Sequence, residues 1–340
     1  MYTIFIGGGT PTCLSAEQIQ KIGAAIRESF DCDALTEFTT EANPGTVTPE
    51  HLTAWQQMGI NRVSLGLQSA QNRELQMLGR IHSYEEFLTT YQMIRQSGMD
   101  QINIDVMAAI PEQTLESYQD TLEKIVSLNP EHISSYSLII EPGTVFGDWE
   151  KNGTLKRVDE DVDRQMYEWT GKYLQHMGYQ RYEISNYCRN GMECRHNCVY
   201  WSGGEYLGLG VNASSYLTGY RFQVPMSQKT YRSYVDRICV LAEKESEGLK
   251  KAVQEMDELE FIDQRAQMEE FMFLGLRMMA GVSEQEFYQR FGISMMEVYG
   301  DVIKKYQKID LLCRRDTGRV ALTEKGIDVS NSILSDFLLN

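Results

Sequence analysis

At 340 residues with 42% apolar side chains, the chain is long enough for a sizeable core, arranged as two domains or one large one. Its 48 acidic residues outnumber 32 basic ones, and the resulting net charge of −16 excludes sequence-independent binding to nucleic acid or an anionic membrane. No run approaches the roughly 18–20 apolar residues needed to span a bilayer, no basic and apolar leader opens the chain, and the seven cysteines are mostly dispersed, so a reducing, cytoplasmic compartment is expected.

The first predicted strand, Tyr2 to Ile6, runs into the bare triplet Gly7, Gly8 and Gly9, followed by Thr10 and Pro11. A single tight turn rarely needs three glycines, whereas a ligand pressed against backbone does; the plainer alternative is that they only mark a turn. Further strands are predicted at Glu37 to Glu41, Arg62 to Leu67, Gln101 to Val106 and His132 to Ile140, each separated from the next by a helical pattern. Ser15 with Gln18 forms a capping box, and Pro49 after Thr48 sits where a first helical residue belongs. Such alternation implies a parallel sheet with right-handed crossovers, either open or closing into a partial barrel.

Within these strands polarity alternates. Ile102, Ile104 and Val106 face away from Asn103 and Asp105, while Val63, Leu65 and Leu67 oppose Ser64, Gly66 and Gln68; Thr39 pairs in parity with Glu41. A buried parallel strand is normally apolar on both faces, so polar strand ends suggest a lined site at the C-terminal rim. Gly7 to Gly9, Glu41, Gln68 and Asp105 are expected to converge there; the alternative is that each caps its own loop. The triplet is neither a P-loop, lacking the lysine, nor a dinucleotide fingerprint, having Thr12 at the third glycine position.

Toward the C-terminus, Met268 to Met279 is apolar at helical spacing, with its methionines read as core filler. Ser283 with Glu286 forms a second capping box, and "LLCRRDTGRVALT" reads as a hairpin turning at Asp316 to Gly318. The order is winged-helix-like, but Arg314, Arg315 and Arg319 are its only basic cluster in an acidic chain, which favours a packing or partner-binding appendage over a DNA reader.

The segments "FIGGGTP", "EANPGT", "RVSLGLQS", "LGRIH", "INIDVM" and "YSLIIEPGT" follow one another as in the radical S-adenosylmethionine enzymes of the oxygen-independent coproporphyrinogen III oxidase-like group, which the chain resembles from about Tyr2 to its C-terminus. The resemblance implies that Gly7, Gly8, Gly9 and Thr10 receive the methionine amino group of S-adenosylmethionine and that Glu41 helps hold it. It further implies that Gln68 and Asp105 contact the ribose and that Arg80 pairs with the methionine carboxylate. A zwitterionic amino acid needs an acceptor for its ammonium and a cation for its carboxylate, so the assignment is chemically coherent. It also implies a [4Fe-4S] cluster on a CxxxCxxC loop after the first barrel strand. This chain has no such motif: Cys194 and Cys198 have the first interval, but Trp201 stands at the third position. Because the sequence begins inside what would be the second strand, a missing N-terminal segment is preferred to a naturally cluster-free protein.

"HNCVYW" resembles the HNxxYW motif of HemW-type haem chaperones. The resemblance makes His196 a candidate axial ligand of haem iron, with Asn197, Tyr200 and Trp201 facing the macrocycle. The alternatives are a packed core histidine, or a zinc site from Cys188, Cys194, His196 and Cys198 whose spacing fits no common pattern. Two departures from the group stand out: Ala213 replaces a usual histidine after "YLGLG", and "AAIPEQT" places Ala108, Ala109 and Glu112 at bulkier or glycine positions.

The expected architecture is a partial parallel (β/α) barrel of radical-SAM type lacking its first strand, with domains at 1–180, 181–255 and 256–340, the last a helical winged-helix-like module. The expected function is that of a chaperone that binds S-adenosylmethionine and haem and delivers haem to an acceptor protein. Whether it turns over a substrate is left open, and without the cluster motif the chain as given is expected to be inactive as an enzyme. The alternative is an oxygen-independent coproporphyrinogen III oxidase, a radical decarboxylase of porphyrin biosynthesis; a winged-helix regulator is the third reading.

Overall fold

The computed structural model describes residues 1–225, 227–244 and 259–339, so the expected boundary at 255/256 lies outside the described residues. The chain forms two compact units, Met1–His196 and Asn197–Asn340.

In the first unit the order is β1 (Thr3–Ile6), α1 (Ala16–Ser29), β2 (Glu37–Ala42), α2 (Pro49–Met58), β3 (Arg62–Gln68), α3 (Asn72–Met77) and α4 (Tyr84–Gln96). It continues through β4 (Ile102–Ala108), α5 (Leu115–Ser127), β5 (His132–Ser137), α6 (Val145–Lys151), α7 (Glu160–His176), β6 (Gln180–Arg181) and β7 (Asn186–Cys188), to α8 (Arg195–Trp201), whose first two residues belong to this unit. The helices start where the sequence says. Ser15 and Gln18 cap α1 reciprocally at 3.3 and 2.8 Å, and Thr48 does the same with His51 ahead of Pro49 in α2.

Strands β1 to β5 are parallel and adjacent in sequence order; β7 then pairs antiparallel with β5, and β6 with β7. The strand expected through Ile140 stops at Ser137. The neighbouring β4 ends at Ala108, whose carbonyl accepts the Leu138 N–H at 2.9 Å, and beyond it Ala109 turns away at φ +56°, leaving nothing to pair with.

The alternation holds. Val63, Leu65, Leu67, Ile102, Ile104 and Val106 are fully buried in a core shared with Trp55, Phe87, Ile94, Tyr118, Leu122 and Ile125 of the helices. The opposite face follows the register, with Glu41, Ser64, Asn103 and His132 in one row, and Gly66, Asp105 and Ser134 in the next. Thr3 and Glu37 head the same face on β1 and β2. Glu37, 2% exposed, accepts the N–H groups of Arg195 and His196 at 2.8 and 3.0 Å, satisfying two of the donors that the start of α8 leaves unpaired.

The second unit contains β8 (Ser214–Leu217), β9 (Tyr220–Gln223), α9 (Gln228–Lys244), β10 (Leu259–Phe261), α10 (Gln264–Gly275), β11 (Val282–Ser283) and α11 (Glu284–Phe291). It closes with α12 (Met295–Lys308), β12 (Leu312–Arg315), β13 (Arg319–Leu322), α13 (Glu324–Asp328) and α14 (Ser330–Ser335). Its strands form two antiparallel sheets, β10-β9-β8 and β11-β13-β12. The hairpin turns at Asp316 to Gly318, with Gly318 at φ +70°.

Two details differ from the sequence pattern. The apolar spacing runs on to Met279, but α10 ends at Gly275 because Met278 and the following residues make the turn that brings Val282 opposite Val320. Ser283 accepts the Glu286 N–H at 3.2 Å, yet the Glu286 carboxylate does not return the bond; it lies 3.5 Å from Arg319 instead. The basic cluster is locally engaged: Arg314 pairs with Glu284, Arg315 donates to Met279 O, and Arg319 to Ala280 O and Gly281 O.

Replacing Glu37→Ala strands two part-buried N–H groups that now bond to a buried carboxylate, and is expected to lower unfolding free energy by about 2 kcal/mol in urea titrations. Glu37→Gln, whose amide oxygen still accepts, should recover part of that loss.

Candidate functional site

The glycine triplet meets its surroundings in three different ways. A Cβ on Gly7 would stand 2.5 Å from the Phe5 ring and 2.7 Å from the Glu41 carboxyl carbon, so only glycine fits. Gly8 lies at φ +80° and donates its N–H to Glu41 Oε2 at 3.1 Å. Around Gly9 nothing lies within 4 Å of an added Cβ, so the protein's own packing does not explain it. Thr10 Oγ1 accepts from Asn43 Nδ2 at 3.0 Å, which ties the glycine loop to the turn after β2.

Across the rim, Gln68 ends β3 at a bulge with φ +75°. Its Oε1 accepts from the Tyr136 hydroxyl at 3.1 Å. Asp105 accepts from Ser64 Oγ at 3.2 Å and Asn103 Nδ2 at 2.7 Å. Arg80 is half-buried and makes no side-chain hydrogen bond or ion pair among the described residues. Tyr136 is the residue the sequence reading missed. Burial raises its hydroxyl pKa, and its charged neighbours are Asp105, Arg80 and Glu41, so four expected residues meet around one phenol. The signal was available in the parity of His132, Ser134 and Tyr136 along β5.

Burial, opposed by the Gly8 N–H and reinforced by the Asp105 charge, raises the Glu41 pKa; burial likewise raises that of Asp105 despite its hydrogen bonds. Two carboxyl groups whose pKa values are raised, and an arginine with no ion-pair partner among the described residues, are the chemistry that a ligand carrying both a cation and an anion would need. The glycine cradle and this donor set fit S-adenosylmethionine.

Below the rim, one hydrogen-bonded chain crosses the inner face. The Cys194 N–H donates to Tyr182 OH (3.3 Å), Tyr182 reaches His132 Nε2 (2.9 Å), and His132 Nδ1 meets Asn103 Oδ1 (2.5 Å). Asn103 Nδ2 then donates to Ser64 (2.8 Å) and Asp105 (2.7 Å). Burial pushes the His132 pKa well down, so the ring is neutral and bridges a donor to an acceptor. Arg62, 3% exposed, shares this face, and among the described residues its side chain makes no hydrogen bond or ion pair and the neighbouring buried Thr39 hydroxyl lacks a partner.

The "HNCVYW" segment is α8. His196 belongs to the first unit: its Nδ1 hydrogen-bonds with the Thr3 hydroxyl at 2.9 Å, and its ring stacks on Phe5 at 5.1 Å and 23°. Burial lowers its pKa, the Glu37 charge opposes that, and Arg62 adds to it. The remaining motif residues belong to the second unit, where Asn197 is half-buried, Tyr200 meets Tyr206 edge-on at 4.7 Å, and Trp201 lies under the Arg277 guanidinium at 4.6 Å.

No group of three or more His, Cys, Asp or Glu side chains able to hold a metal is present among the described residues. Cys13 is exposed, Cys188 and Cys194 are buried, and Cys194 Sγ lies 3.6 Å from Glu37 Oε1. Among the described residues the cysteines therefore fit neither the zinc alternative nor a [4Fe-4S] cluster. No described helix is long and apolar enough to cross a membrane.

Residues 2–125 match the radical SAM superfamily and residues 262–329 the HemN C-terminal domain. Heme chaperone HemW of Lactococcus lactis is 36% identical over 338 residues, covering 99% of this chain and 85% of the relative. The chain belongs to the HemW family. HemW of Bacillus subtilis, at 35% over 340 residues and again 99% and 85% coverage, places it equally. The fold matches that of coproporphyrinogen III oxidase HemN from Escherichia coli with a TM-score of 0.80 and 21% identity, over 99% of this chain and 78% of that one. Radical SAM membership and HemW kinship, expected from the motifs, both stand.

Because the Glu41 pKa is raised on folding, Glu41 favours the folded state below its unfolded value and loses that contribution as pH rises through the folded one. Glu41→Gln should therefore gain stability over the parent as pH climbs from about 4 toward neutrality, read as a widening difference in urea midpoints. A constant difference across that range would contradict the shift.

Proposed function

We propose that this protein binds haem and passes it to an acceptor protein, with S-adenosylmethionine held at the barrel rim. Kinship with haem chaperones along 99% of the chain carries this reading, and "HNCVYW" is the segment that resembles their HNxxYW motif. His196 is the candidate iron ligand. Its lowered pKa favours the neutral imidazole that coordinates metal, and a hydroxyl on Nδ1 is the kind of outer partner that orients a ligating histidine. Asn197, Tyr200 and Trp201 are the further candidate contacts to the macrocycle, and cytoplasmic residence is part of the same proposal.

At the rim, Glu41 and the Gly7–Thr10 backbone would hold the methionine ammonium, Arg80 its carboxylate, and Gln68 and Asp105 the ribose. Tyr136 fixes Gln68 in place. When bound beside a reducing iron-sulfur cluster, S-adenosylmethionine supplies a 5′-deoxyadenosyl radical. Among the described residues no cysteine group fits such a cluster, so the roles proposed for these rim residues are binding and orientation.

Two measurements test this reading. Haemin added to the protein should produce a shifted Soret band that His196→Ala loses; an unchanged titration removes His196 as the ligand, and no Soret change in the parent removes the chaperone reading. In calorimetric titration with S-adenosylmethionine, Gly7→Ala, which pushes a methyl into Glu41 and Phe5, should weaken binding at least tenfold, and Arg80→Ala should do the same. Unchanged affinity in both variants would place the cofactor elsewhere.

A further inference from the structure

Within the second unit, a cavity of about 490 Å³ is lined by Trp201, Phe273, Leu274, Arg277, Leu334, Ser335 and Leu338. Its volume falls in the range of small-molecule sites, roughly 300–1,000 Å³. Its walls are apolar apart from one serine and one cation, and that cation is anomalous. In a chain with 48 acidic residues, the Arg277 side chain makes no hydrogen bond or ion pair among the described residues, and its guanidinium lies 4.6 Å from the Trp201 ring centre. Arg277 Nε and Trp201 Nε1 are both shielded from solvent and lack acceptors. Sequestered donors without partners are costly, and a guanidinium placed over an indole keeps its remaining donors as a fork suited to a carboxylate. These two donors thus lack an acceptor, and the rest of the cavity offers an aromatic plane and aliphatic walls.

We propose that this cavity takes the edge of a porphyrin, the ring against Trp201 and the aliphatic wall and one propionate on Arg277. The assignment rests on the haem reading above and extends it, because it makes recognition of the macrocycle independent of iron. Within the second unit it gives Trp201 and Arg277 one shared task, recognition of the ring and its acid side chain. In a protein of net charge −16 a dianionic ligand needs a local cation, and Arg277 supplies it.

The test uses the full chain with metal-free deuteroporphyrin IX, followed by porphyrin fluorescence. Binding by the parent, at least tenfold weaker in Arg277→Gln and partly restored in Arg277→Lys, is the expected result. Deuteroporphyrin dimethyl ester, which has no carboxylate, should bind parent and Arg277→Gln equally weakly. Equal affinity of acid and ester for the parent, or equal affinity of the acid for parent and Arg277→Gln, overturns the proposal. Displacement of the porphyrin by dodecanoate at comparable affinity also overturns it, in favour of a general carboxylate pocket. Leu338→Trp, which fills the cavity at a 52% exposed position, should abolish binding with circular dichroism unchanged. If haemin still gives the His196-dependent Soret band while these results fail, only the cavity assignment falls; if haemin itself fails, the haem reading falls.

Discussion

A parallel sheet that turns polar side chains inward must satisfy them there, and Asn103 is where this chain does so. Its amide oxygen takes His132 Nδ1 and Ser134 Oγ, and its amide nitrogen donates to Ser64 and Asp105. Both ends of one side chain are committed, so strands β3, β4 and β5 are locked in register on their inner face as firmly as their apolar face locks them from outside. The chain continues through His132 and Tyr182 to the Cys194 N–H, at the threshold of α8. The rim carboxylate Asp105 and the start of the "HNCVYW" helix are thereby two ends of one hydrogen-bonded network.

Within the first unit that network has a counterpart at the sheet edge. Glu37 caps α8, while Thr3 and Phe5 hold the His196 ring, so β1 and β2 position the histidine in the same way that β3 to β5 position Asp105. The rim itself is strained and electrostatically unfavourable. Gln68, Ala109 and Glu112 all sit at positive φ without being glycine, and Glu41 and Asp105 both resist ionisation. Such features persist where surrounding structure over-determines them, and they concentrate at ligand sites.

Glu112 makes the point locally. The related group's pattern has glycine there, and φ +66° shows why, since an L-residue adopts that angle only at a cost. Its carboxylate pairs with Arg73, a partly compensating surface contact. Nearby, buried Glu74 collects hydroxyl and amide donors from Ser69, Gln113 and Ser117, which fixes the loop carrying Glu112 to the segment after β3.

The sequence by itself determined the strand order, the caps at Ser15 and Thr48, the inward parity of Glu41, Gln68 and Asp105, and the family, because periodicity and short motifs are local properties of the chain. It did not reveal Tyr136 as the meeting point of the rim, since an aromatic at a strand end looks the same whether it packs or binds. Nor did it reveal that Glu286 abandons its cap for Arg319, or that Gly7 is required by contact and Gly8 by its dihedral angle. Above all it presented "HNCVYW" as one cluster. The tertiary structure places His196 against Thr3 and Phe5 in one compact unit and Trp201 against Arg277 in the other, because neighbouring stripes of a short helix point in different directions and which neighbour each meets is decided only by packing.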